Sequence, residues 1–157
     1  MLERTTLYYN SSNELTQARD YQSQISRKEF EMRLMEINSQ YLSQKGNSYF
    51  YNNLQKQSME LEIKNLKHYR NSSLYNSINY ALQLAEIELR EHITYSMAVV
   101  TINSINSFLK TYKPEIVFPP QYILDQLTRI YNCFHLSFVN PLLDTEITNL
   151  KQLVFKL

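Results

Sequence analysis

The chain is poor in cysteine, glycine and proline, and each shortage excludes a class of protein. Cys133 is the only cysteine among the 157 residues, which excludes an intramolecular disulfide and a zinc site built from cysteines. One glycine and four prolines are too few for a turn-rich β-sandwich or barrel, or for a glycine-rich phosphate-binding loop. The formal net charge is only +1, so no basic tail for polyanions and no acidic solvating segment is indicated.

Apolar residues make up 43% of the chain and charged residues 20%, which is enough apolar material for one core. We therefore expect a single helical domain over residues 1–157. Asn, Ile, Lys, Phe and Tyr are common whereas Gly, Ala, Arg and Pro are scarce, a bias that indicates an AT-rich coding genome. For that reason a single Asn or Tyr is weak evidence for chemistry.

The only glycine predicts a turn between two helices. The first helix covers residues 12–45, with Ser12 or Asn13 as its N-cap, and the second covers about 48–71. Glycine after a helix accepts the left-handed conformation that ends it, so Gly46 favours a short connection and an antiparallel hairpin.

Apolar residues recur along both predicted helices at helical spacing. The first helix has one break in phase, between Ile25 and Phe30. Glu29–Arg33 and Glu60–Lys64 stand at i,i+4 and are expected to support the two helices. The apolar series is Leu15, Ala18, Ile25, Phe30, Leu34, Ile37 and Tyr41 in the first helix, and Phe50, Leu54, Leu61 and Leu66 in the second.

Three further helices are predicted after a break at residues 71–73. The longest pattern covers residues 74–110 and carries apolar residues on more than one face, which indicates a central helix. Pro114, Pro119 and Pro120 interrupt the chain after it. A fourth helix is predicted at about 120–137, and a fifth from Pro141 to the C-terminus with Asn140 as its N-cap.

The predicted fold is therefore all-α. A long antiparallel, coiled-coil-like hairpin is followed by a long central helix and two shorter C-terminal helices that form a bundle. Charged residues are denser before residue 92 than after it. We expect residues 12–71 to form a projecting, solvated hairpin and residues 73–157 to form an apolar packing unit.

The sequence indicates neither secretion nor a membrane span. The first residues lack the apolar region of a secretory signal. The uncharged stretch 92–109 contains many Ser, Thr and Asn residues, which favours a buried helix over a span. We expect an intracellular, organellar or virion-associated protein.

Histidine and cysteine form no recognisable catalytic or metal-binding pattern. Glu88 and His92 stand at i,i+4 without the second copy that a helical di-iron site needs, and we interpret them as a surface ion pair. Cys133 lies in an apolar sequence that favours a buried structural cysteine. We therefore expect no enzyme activity, no cofactor, no metal and no small-molecule substrate.

One basic cluster lies near the end of the second predicted helix. Cations beside an aromatic ring can bind a phosphate backbone and stack on a base. Cations also gather at helix C-termini because the helix dipole favours them there, and we prefer this interpretation, so nucleic acid is not an expected partner. The cluster is Lys64, Lys67, His68 and Arg70 beside Tyr69.

Aromatic residues flank the predicted turn at Gly46. Tyrosine offers a large amphipathic contact surface at small entropic cost and is enriched at protein interfaces. The same rings could instead pack on one another to close the hairpin. The candidate interface residues are Tyr41, Tyr49, Phe50 and Tyr51.

The leading hypothesis from these features is a non-catalytic helical scaffold subunit that makes protein–protein contacts within a larger assembly. One alternative is a membrane-peripheral accessory subunit of an organelle, viral or secretion complex, in which the sparsely charged stretch 130–143 touches lipid. The other is a small helical enzyme, in which Asp125 or Glu115 would meet His135 across helices.

Overall fold

The computed structural model describes residues 2–42, 48–115, 120–134 and 140–155, and these residues form five α-helices and no strand. Helix α1 packs against helix α2, so the predicted all-α class, the helical hairpin and the bundle are confirmed. The helices are α1 (Leu2–Leu42), α2 (Ser48–Arg90), α3 (Met97–Tyr112), α4 (Gln121–Cys133) and α5 (Pro141–Phe155).

Helix α1 begins at Leu2 and not at residue 12, so Ser12 and Asn13 lie inside the helix and do not cap it. Burial explains the earlier start, because Leu7 is only 8% exposed and Ser11 is fully buried. Tertiary packing of this kind stabilises a helix more than a local capping preference does. The predicted turn at Gly46 lies outside the described residues.

Helix α2 runs through the predicted break at residues 71–73, and the chain breaks instead at residues 91–96. Ser73, Leu74 and Ser77 are buried, so this segment is part of a packed helix face. The helix ends at Arg90, and the turn after it has His92 at φ 53° and an Ile93 N–H that donates to the Glu88 carbonyl at 3.1 Å. This is the Schellman arrangement, with histidine in the left-handed position where glycine is usual.

Helix α3 begins after this turn, so there is no continuous helix over 74–110. Ser96 is its N-cap, and the Val99 N–H donates to the Ser96 hydroxyl at 3.1 Å. Serine is a common N-cap residue, so Ser96 could have predicted a new helix start. It was overlooked because apolar residues continue at helical spacing on both sides of it. The predicted cap of α5 is confirmed, since the Leu143 N–H donates to Asn140 Oδ1 at 3.1 Å.

Helix α4 ends at Cys133, before the predicted residue 137, because Phe134 already has an extended backbone. The described helices are not long and apolar enough to span a membrane.

The chain divides into two compact units, which we name the larger unit (Met1–Gln17 and Asn71–Leu157) and the two-helix unit (Ala18–Arg70). The larger unit contains the start of α1, the end of α2 and helices α3 to α5. The two-helix unit contains the remainder of α1 and α2. The predicted projection of residues 12–71 as a hairpin stays a prediction.

The larger unit has an apolar core to which all five helices contribute. Leu82, Ile105 and Ile147 are completely buried. Ser11 and Ser77 each donate a hydroxyl to the other's backbone carbonyl at 2.8 Å, which joins α1 to α2 with two small side chains. Burial without a partner would cost these hydroxyls free energy, and the reciprocal bonds satisfy both.

Helices α3 and α5 run parallel in the larger unit. Asn106 donates to the backbone carbonyl of Glu146 at 3.0 Å and to its Oε2 at 2.9 Å. Further along, Leu109 and Lys113 share a groove with Leu153, so residue numbers rise together on the two helices. The amide–carboxylate contact therefore fixes the register of this pair.

Candidate functional site

The four predicted aromatic residues lie on the two helices that form the two-helix unit. Tyr41 belongs to α1, and Tyr49, Phe50 and Tyr51 belong to α2. Their side chains lie outside what the structure describes, so their role as an interface stays a prediction.

The two-helix unit exposes large apolar side chains on the outward faces of both helices. We call these residues the outer rows. On α1 they are Phe30, Leu34 and Ile37, which are 56%, 45% and 62% exposed; on α2 they are Leu54 and Leu61, which are 49% and 60% exposed. Spacings of three, four and seven residues place each row on one face of its helix.

The outer rows face away from the partner helix. On α1, the buried residues Ala18 and Ile25 mark the face that packs on α2. At 100° per residue, Phe30 is turned about 140° from Ile25, and Leu34 and Ile37 lie near Phe30 on the same side. On α2, Leu61 is likewise turned about 160° from the buried Ile63.

The helical apolar series of the sequence therefore does not form one buried stripe. Ile25 is 1% exposed whereas Phe30 is 56% exposed, so the series changes face between these two residues. The five-residue step between Ile25 and Phe30 indicates this change in the sequence, because apolar residues stay on one face of a helix only when they are three or four residues apart.

Ion pairs link α1 and α2 within the two-helix unit. Lys28 Nζ lies 2.6 Å from Glu62 Oε2, and Lys56 Nζ lies 2.9 Å from Glu36 Oε1. Because these side chains are substantially exposed, each pair contributes about 0–1 kcal/mol. The unit is therefore stabilised only modestly by its charges.

The predicted i,i+4 pairs Glu29–Arg33 and Glu60–Lys64 are absent among the described ion pairs of this unit. Glu29 Oε1 instead lies 3.5 Å from Lys67 Nζ on the other helix. The prediction was wrong because Glu29 is half-buried beside α2, where a cation of that helix competes with Arg33.

The basic cluster of the sequence does not form one surface. Arg70 is 5% exposed and donates to Gln22 Oε1 at 2.8 Å, so it is part of the α1–α2 contact. Lys67 pairs with Glu29, and Tyr69 packs against Tyr21 with ring centroids 5.8 Å apart. Within the cluster only Arg70 is buried, whereas Lys64, Lys67 and His68 are exposed, so the cluster is divided between the helix contact and the surface. The expectation that nucleic acid is not a partner stays a prediction.

A groove of about 470 Å³ lies between α1 and α2 within the two-helix unit. Met32 and Ile63 form its apolar floor, and charged side chains of both signs form its rims. Its ionisable lining residues are carboxylates, lysines and an arginine, and the described lining contains no histidine, cysteine or serine.

The most buried carboxylate of the larger unit is Glu88, which is 2% exposed. Arg4 Nη2 donates to its Oε1 at 2.9 Å, and the Ser96 hydroxyl donates to its Oε2 at 2.6 Å. The backbone N–H groups of Met97 and Ala98, in the first turn of α3, also donate to this carboxylate, the former at 2.8 Å.

Glu88, near the end of α2, therefore connects that helix to α1 through Arg4 and to the start of α3 through Ser96, Met97 and Ala98. A carboxylate at a helix N-terminus is stabilised by the unpaired amides and by the helix dipole. Both carboxylate oxygens accept hydrogen bonds from groups of the chain itself.

The expected surface ion pair between Glu88 and His92 was wrong. Glu88 is buried against Arg4, whereas His92 is exposed in the left-handed turn that ends α2. The i,i+4 rule holds only inside a continuous helix, and α2 ends at Arg90.

Other candidate reactive groups are dispersed. Cys133 is exposed, so the expectation of a buried cysteine was wrong; it lies on the last turn of α4, outside the row formed by Ile123, Leu127 and Ile130. Partial burial raises the pKa of the Tyr122 phenol. Asp125 accepts from Gln121 at 2.9 Å, and its expected partner His135 lies outside the described residues.

No group of three or more His, Cys, Asp or Glu side chains that could hold a metal ion occurs in the described part of the chain.

The larger unit has its own groove of about 470 Å³ between the ends of α3 and α5. Its described lining, like that of the first groove, lacks histidine, cysteine and serine. The lining residues are Leu109, Lys110, Lys113, Pro114, Gln152 and Leu153.

Comparison of the chain with protein-family models, with curated proteins and with solved structures finds no match. The outer rows of the two-helix unit are therefore the candidate functional site on physical grounds alone.

Proposed function

We propose that this chain is a non-catalytic helical subunit that positions other proteins within a larger assembly. The observation that supports the proposal is the exposure of the outer rows, Phe30, Leu34 and Ile37 on α1 with Leu54 and Leu61 on α2. Covering large apolar side chains of this kind with a partner is favourable by about 25 cal/mol for each Å² removed from water.

The small number of buried apolar residues in the two-helix unit supports an interaction role. Ala18, Ile25 and Ile63 are the buried apolar residues among its described side chains, so its own core is small. A helix pair gains most of its stability from packing of apolar faces. Two helices that bury so little against each other and expose apolar rows outward are suited to contact further helices.

The predicted aromatic residues extend the same helices by sequence spacing. Tyr41 follows Leu34 by seven residues, and Phe50 precedes Leu54 by four. These intervals continue a helical row toward the connection between α1 and α2. On this spacing we include Tyr41 and Phe50 in the proposed contact surface, and Tyr49 and Tyr51 remain sequence-based candidates beside Phe50.

The test removes the outer row of α1 and asks whether bound proteins are lost. A triple variant, F30S/L34S/I37S, is expressed in the source cells with an affinity tag, and copurifying proteins are quantified by mass spectrometry. We expect at least a tenfold loss of the wild-type partners with unchanged helicity by circular dichroism. The loss is expected because each serine removes most of the apolar area that a partner would cover.

The matched control is a double variant of the larger unit, Y95S/L142S, which removes side chains that are 82% and 70% exposed. It should retain the partners. Equal loss in both variants, or full retention in the triple variant, would contradict the proposal. The variant Y49S/Y51S extends the test to the aromatic residues, and loss of helicity there would show that these rings stabilise the hairpin instead.

A membrane-peripheral role is the second candidate, and the observation that favours it is Leu142, which is 70% exposed at the start of α5. Other residues of the sparsely charged stretch are less available, since Ile130 and Leu143 are fully buried and residues 135–139 lie outside the described part. Flotation with phosphatidylcholine liposomes separates the two proposals. Wild-type protein that floats, with L142S remaining at the bottom of the gradient, would favour the membrane role.

A further inference from the structure

We draw no further inference here: the strongest candidate, the outward apolar face of helix α1 at Phe30, Leu34 and Ile37, already belongs to the proposed function, and nothing in the structure shows which partner covers it.

Discussion

The same two helices are stabilised differently in the two units of the molecule. In the larger unit, α1 and α2 bury apolar side chains such as Leu15, Leu74 and Leu82 together with residues of α3 to α5. In the two-helix unit they are joined by exposed ion pairs and by the contact between Arg70 and Gln22. Helical structure therefore continues along both helices, whereas fewer apolar residues are buried in the two-helix unit, namely Ala18, Ile25 and Ile63.

The difference shows why a long helix is a poor guide to stability. Helix propensity contributes little over a long helix compared with packing of its apolar face. Both units expose some large apolar side chains, but most of the buried apolar residues lie in the larger unit, whereas Ala18, Ile25 and Ile63 are the buried apolar residues described in the two-helix unit. The larger unit is thus expected to contribute most of the stability of the fold.

The largest expected effect comes from the buried carboxylate of the larger unit. In the variant E88Q the volume is retained but the charge that pairs with Arg4 is removed. Breaking a largely buried ion pair by neutralising one partner costs up to about 3–5 kcal/mol, and the Arg4 side chain, which is 15% exposed, retains little contact with water. Urea denaturation followed by circular dichroism should show a fall of this size in the free energy of unfolding.

The matched control is E62Q in the two-helix unit, which breaks the pair with Lys28. The Glu62 side chain is 53% exposed, so its loss should cost about 1 kcal/mol or less. If E88Q and E62Q destabilised the protein equally, the comparison between a buried network and exposed pairs would fail.

A second prediction compares the same substitution, leucine to alanine, at a buried position of the larger unit and at an exposed position of the two-helix unit. In the variant L82A a completely buried side chain of the larger unit is truncated, which should cost about 2–5 kcal/mol because a cavity remains. In the variant L61A a side chain that is 60% exposed in the two-helix unit is truncated, and the cost should be about 0.5 kcal/mol or less.

Thermal and urea denaturation of both leucine variants measure these losses. A large loss in L61A would show that the outer row of α2 is covered within the protein itself. The proposed contact surface would then be wrong, while the core assigned to the larger unit would stand.

The fold class was predictable because periodic apolar residues and a shortage of turn formers both indicate helices. The helix boundaries were harder. Ser72 and Ser73 resemble a break by local preference, yet Ser73 is buried in α2, whereas the true break at His92 lacks the expected glycine. Local residue preferences mispredict these boundaries because tertiary packing of α2 and the Glu88 contacts with the start of α3 determine where the chain turns.

The candidate site was predictable only in part. Its helices and the aromatic residues near the connection were identified from sequence, but the outer rows were grouped with the apolar series. Phe30 and Ile25 have the same apolar character, and only the change of phase between them separates the exposed residue from the buried one. Glu88 was missed as a structural centre because its partner Arg4 is remote in sequence.

The smallest expected effect compares two exposed histidines, one in each unit. His92 has φ 53° at the end of α2, and a left-handed conformation costs a residue with a Cβ about 1 kcal/mol, so H92G should raise the stability by about that amount. His68 lies inside α2 in the two-helix unit, and H68G should lower the stability by about 0.5 kcal/mol because glycine weakens a helix interior. Opposite shifts of the urea midpoint are therefore expected from the same substitution, and shifts of the same sign would contradict the assigned end of α2.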